Sequence, residues 1–146
     1  MGYNQAYNAY QSTNIKTASQ GRLIVLLYEA AVKNLKSAST LIDSDGKIKA
    51  SNIEKFSNFI QKTQAIISEL QVSLDMEKGG DIAKNLMSLY LYFNRELTDA
   101  SINHNKDKVT FVENMMSELL SAWRTASNST ANAPAAVMHS SLNITG

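Results

Sequence analysis

Apolar residues recur along most of the chain in steps of three and four, the spacing that places side chains on one stripe of an α-helix. Ile53, Phe56, Ile60, Thr63, Ile67, Leu70 and Leu74 form one such series. Ile82, Leu86, Leu89, Phe93, Leu97 and Ala100 form a second, and Val109, Val112, Met116, Leu119, Trp123 and Ala126 a third. A further helix is predicted from about Gln20 to Asp43, with Ile24, Leu27, Ala31, Leu35, Ala38 and Ile42 facing inward and Ser19 placed to cap its first amides. A strand would alternate with period two, and no segment does so convincingly. The one proline, Pro134, follows all four series and interrupts none of them.

The predicted helices are joined by short runs of turn-forming residues: "DSDGK" at 43–47, "EKGGD" at 77–81 and "HNKD" at 104–107. Short links between long helices favour antiparallel neighbours, so the predicted fold is all-α, an up-and-down antiparallel four-helix bundle. Gly46 and Gly79 are expected in the left-handed conformation, and Asp81 is expected to cap the helix that follows it. Ahead of the bundle lies "YNQAYNAYQSTNI" at 3–15, uncharged, with Tyr3, Tyr7 and Tyr10 on one side if it turns helically. An aromatic face left in water is a liability, so this short helical segment is expected to pack on the bundle. Residues 1–127 are therefore read as one helical domain with 3–15 as its N-terminal cap. Residues 128–146 are small and polar and are expected to form a flexible, disordered tail.

Composition narrows the function. With 146 residues, 44% hydrophobic and 18% charged, one folded domain is expected. Fourteen Lys and Arg against 13 Asp and Glu leave a formal charge of +1, which gives no electrostatic reason for a nucleic-acid partner. Cysteine is absent, which excludes disulfides and thiolate chemistry. "LIVLLY" at 23–28 is far shorter than the roughly 20 residues that span a bilayer, and no secretory signal is visible, so no membrane insertion and a cytoplasmic location are expected. The Glu-x-x-His spacing of di-iron bundles is missing, and His104 and His139 read as surface imidazoles. "DSDGK" is similar to the start of a calcium loop, but Lys47 stands where an oxygen ligand is needed. The Ser44-x-x-Lys47 spacing in the same turn lacks the companion motifs of a serine acyl-enzyme. No metal, cofactor or catalytic residue is expected, and the protein is read as no enzyme.

What the chain has in surplus is apolar helical surface. Beside the main stripes stand Phe59 and Ile66; Met87, Leu91 and Tyr92; and Phe111, Met115 and Leu120. This excess suggests a groove for an apolar partner segment, with methionine adapting to an irregular surface. "YNAYQSTNI" at 7–15, "TASQGRLIVLLYEAAVKNL" at 17–35, "LQVSLDMEKGGDIAKNLMSLYLYFNREL" at 70–97 and "ELLSAWRTA" at 118–126 occur in that order, and together they resemble the FliS family of flagellin export chaperones. Gln20 departs from the proline, and Leu91 from the aspartate, that family members often carry there.

The resemblance implies a cytoplasmic chaperone that binds the disordered C-terminal segment of flagellin one-to-one. It would prevent premature polymerisation and help deliver the subunit to the flagellar export gate, acting as a monomer or weak dimer. The residues implied in flagellin binding are Tyr7, Tyr10 and Ile15 of the opening segment, Leu23 and Leu27 of the first long helix, and Leu89, Tyr90 and Phe93 of the third. The alternative is a structural adaptor that self-associates through the surplus stripes.

Overall fold

The structure is a computed structural model, and it describes residues 17–129. Four long helices account for most of them: α1 (Thr17–Thr40), α2 (Ile53–Ser73), α3 (Gly80–Asn103) and α4 (Lys106–Ser129), with a single 3₁₀ turn at Ala50–Asn52. Each helix packs on two neighbours in the ring α1–α2–α3–α4, and α1 has the most extensive contacts, with α4 and α2. Side-chain pairs give the direction of each neighbour. Gln64 of α2 donates to the Asn94 carbonyl and the Thr98 hydroxyl of α3, whereas Gln71, two turns further on, reaches back to Met87. Lys108 at the start of α4 pairs with Asp99 near the end of α3, and Phe111 sits edge-on to Tyr92. Lys106 donates to the Ile42 carbonyl beyond the end of α1, while Arg124 near the end of α4 pairs with Glu29. Every adjacent pair is thus antiparallel, as the short connections predict.

The stripes read from the sequence become the core. The five stripe residues within α1, Ile42 just beyond its end and all six of α4 are buried. Thr63, the one buried polar residue of α2, satisfies its hydroxyl by donating to the Phe59 carbonyl one turn back. In α3 the inner line runs Leu86, Tyr90, Phe93, Leu97, with Leu89 only half-buried. The i+4 step from Leu86 and the i+3 step to Phe93 turn Tyr90 inward, a choice that spacing alone left open. Of the surplus residues, Ile66 and Leu120 also belong to the core.

The connections differ from expectation in detail. The 43–47 turn lies inside a longer link, where Ile42 and Ile48 form an isolated antiparallel bridge. Asp43 Oδ1 accepts from the amides of Asp45 and Lys47, and Gly46 has φ 76°, in the left-handed region as expected. Before α3, the left-handed glycine is Gly80, not Gly79, with φ 52°. Asp75, not Asp81, shapes that turn by accepting from the amides of Glu77 and Lys78. Asp81 lies in the first turn of α3, where a carboxylate faces the positive end of the helix. Ser19 lies inside α1 and so does not precede its first amides. His104 is half-buried and ends α3 in the left-handed conformation, its ring edge-on to Phe56. Asn105 then caps α4 through its side-chain oxygen, which accepts from the Lys108 amide. Segment 3–15 and residues 130–146 lie outside the described residues.

Candidate functional site

The stretch "LYLYF" at 89–93 divides its side chains between the buried and the exposed side of α3. Tyr90 and Phe93 point into the bundle, whereas Leu91 is 54% and Tyr92 37% exposed. Across the seam on α4, Phe111 is 42% exposed and meets the Tyr92 ring edge-on at 6.1 Å. Because α3 and α4 are antiparallel, the next turn along this seam brings half-buried Leu89 on one helix and Met115 on the other. The result is an apolar strip outside a core that is already complete. Its lower end is polar: Lys108 bridges Asp99 at 2.8 Å and Glu96 at 3.4 Å, and the Asp99 carboxyl is held below its ordinary range chiefly by the Lys108 hydrogen bond. Arg95 lies 5.8 Å from the Tyr92 ring centre, so a cation borders the aromatic surface.

Behind the strip the core contains a polar junction. The hydroxyls of Tyr28 on α1 and Tyr90 on α3 are 2.5 Å apart, and Tyr28 packs at 6.1 Å against the Trp123 ring of α4. Burial pushes the Tyr28 pKa far above its ordinary value, an effect partly offset by its hydrogen bonding with Tyr90 and by the nearby Trp123 indole. Burial raises Tyr90 as well, and Tyr28 adds to that rise. Trp123 Nε1 has no hydrogen-bond partner among the described residues. Three helices are thus tied at one level by groups that remain neutral in the interior.

The candidate flagellin-binding residues separate on this geometry. Leu27 and Phe93 are wholly inside, and Leu23 and Tyr90 are nearly so. Most of their apolar area is spent on neighbouring helices. Leu89 is half-buried at the edge of the strip. Tyr7, Tyr10 and Ile15 lie outside the described residues. Tyr92 and Phe111, counted in the sequence only as surplus surface, supply the strip itself, whereas exposed Leu91 shares the α3 line of Met87, Asn94 and Thr98 that borders α2. Their signal was their position off the main stripe, which is where an exposed apolar residue must fall.

The arrangement offers apolar area with a charged rim. Among the described residues no group of three or more His, Asp or Glu could hold a metal ion, and no helix is long and apolar enough to cross a membrane. The family model described as flagellar protein FliS matches residues 3–130. The chain belongs to the FliS family. The flagellar secretion chaperone FliS of Campylobacter jejuni is 35% identical over 128 residues, covering 88% of this chain and 95% of that relative. That of Salmonella typhimurium is 32% identical over 111 residues, 75% of this chain and 78% of its own. That of Bacillus subtilis is 27% identical over 126 residues, 86% and 89% respectively. FliS proteins are chaperones, not enzymes, in keeping with a site that consists of surface alone.

Proposed function

We propose that this FliS-family chain is a cytoplasmic flagellar secretion chaperone that holds the C-terminal segment of one flagellin molecule against the α3/α4 strip. The observation that carries this reading is the exposed Tyr92–Phe111 pair, apolar area that the core does not need. A flagellin segment unable to bury its own apolar side chains would bury them here. Coupled folding of such a segment typically buries on the order of 1,000–3,000 Å², so the strip is one part of a longer contact. Tyr7, Tyr10 and Ile15 are assigned to the rest of it, and Leu89 to the strip's edge. Leu23, Leu27, Tyr90 and Phe93 serve from behind, fixing the helices that present the surface. A segment so held is withheld from polymerisation, and the complex is what would be delivered to the export gate. Nothing in this mechanism consumes ATP.

The test is a titration of a synthetic flagellin C-terminal segment against the chain and a Tyr92→Ser/Phe111→Ser variant. Affinity should fall at least about tenfold, since truncating interface anchors commonly costs more than 1 kcal/mol each. The melting temperature should stay unchanged, because both positions are exposed. Undiminished binding by a folded variant would remove the site from α3 and α4. The same strip could instead cover itself in a dimer, and a flagellin-free chain with twice the monomer mass at micromolar concentration would favour that adaptor reading.

A further inference from the structure

Positive charge is concentrated on one helix. Within α1, Arg22, Lys33 and Lys36 outnumber Glu29, a net of +2 from three bases and one acid. The bases and acids of α2 balance, as do those of α4, and α3 is net acidic by one, with Asp81, Glu96 and Asp99 against Lys84 and Arg95. Positions 22, 29, 33 and 36 share one side of α1, the side that faces α4, where Arg124 reaches across to Glu29. Two adjoining depressions follow this seam and share Arg124. The larger, of about 530 Å³, has the edges of the core residues Val32 and Leu120 as its apolar floor and Glu29, Lys33, Lys36, Ser117 and Arg124 around it. The smaller, of about 370 Å³, contains Arg22, Val25 and Ser127. From Arg22 to Lys36 the helix advances roughly 21 Å at about 1.5 Å per residue.

We propose that the α1/α4 seam is a second docking surface, one that takes an acidic peptide segment of a partner protein. The floor suits apolar side chains, and Lys33 and Lys36 have no acid paired with them among the described residues. Carboxylates flanking an apolar stripe complement both features at once, and such complementarity speeds encounter and sets register. A nucleic acid matches less well, because its continuous phosphate charge would run over Glu29 and its backbone has no use for Val32 and Leu120. This surface lies on the opposite flank of α4 from the α3/α4 strip, and its assignment is independent of what the strip binds.

The probe is a fluorescein-labelled 14-residue helical peptide carrying a leucine stripe flanked by glutamates, with a version bearing glutamine in place of every glutamate as its control. Binding to the full chain is read by anisotropy at low and at physiological salt, and the site by amide chemical shifts. The glutamate peptide should bind at least tenfold tighter than the control, weaken with salt, and shift residues 29–37 and 117–124. Lys33→Glu/Lys36→Glu should lower its affinity at least tenfold, and Lys33→Gln/Lys36→Gln should lower it in the same direction. Lys55→Glu/Lys62→Glu, which makes the same charge change at exposed positions of α2, should alter it less than twofold. Equal loss in the α2 variant would overturn the proposal by showing dependence on net charge alone. So would shifts centred on another face, or a heparin fragment bound as tightly as the peptide. Circular dichroism and melting temperature of each variant show whether a loss reflects unfolding, and persistent binding in a folded Lys33→Gln/Lys36→Gln chain also overturns it.

Discussion

Tyr28 and Tyr90 bring two hydroxyls within 2.5 Å of each other in a bundle whose interior is otherwise nearly all hydrocarbon. The two hydroxyls partner each other, so removing one leaves the other poorly satisfied away from water. Tyr90→Phe should therefore cost about 1–3 kcal/mol, and the Tyr28→Phe/Tyr90→Phe pair should cost clearly less than the sum of the two singles. Denaturant titration of the three variants decides this, and strict additivity would show that the hydroxyls do not act together. Burial also fixes the direction of a pH effect. Both folded-state pKa values lie above the ordinary 10.0. Below that value both states keep their protons and stability is unaffected; above it the unfolded chain ionises first, so stability should fall as pH rises further. A denaturation midpoint unchanged between about pH 8 and pH 11 would contradict the buried placement. Trp123 packs against Tyr28 and is almost fully enclosed, so Trp123→Ala should cost about 3–5 kcal/mol by emptying a large aromatic site. Full stability in that variant would make Trp123 a surface residue.

At the scale of single helices, the sequence was legible wherever one period decided the outcome. The stripes of α1 and α4 became core without exception, because a residue every three or four positions can face only one way. Legibility failed where two neighbours were both apolar. Leu89 and Tyr90 each fit the inner line of α3, and the hydroxyl waiting on Tyr28 of another helix is information that no local pattern carries. Adjacent Gly79 and Gly80 posed the same ambiguity, settled by the Asp75 turn that delivers the chain to α3. The candidate site was the least legible, since periodicity tells which residues pack and says nothing of which of them a partner touches. In the proposed contact, the opening segment supplies the residues beyond the described helices. Tyr10→Ala should weaken flagellin-segment binding by about 1 kcal/mol or more while the bundle stays folded. Calorimetric titration showing unchanged affinity would remove Tyr10 from the contact.

For the molecule as a whole, four antiparallel helices close one core among the described residues, Thr17 to Ser129, and residues 130–146 are mostly small and polar in sequence. Deleting residues 130–146 should accordingly change stability by less than about 0.5 kcal/mol, the usual scatter for surface changes, as read from thermal or denaturant unfolding. A larger loss would show that the tail docks. The central claim is that this bundle uses its spare apolar surface to hold one flagellin by its C-terminal segment. Mass measurement by light scattering after size-exclusion chromatography tests it most directly, with the chain mixed with intact flagellin and, separately, with flagellin lacking that segment. A one-to-one complex with the intact protein and two separate species with the truncated one are the predicted result. A complex that forms equally well with truncated flagellin, or none with intact flagellin, would contradict the account.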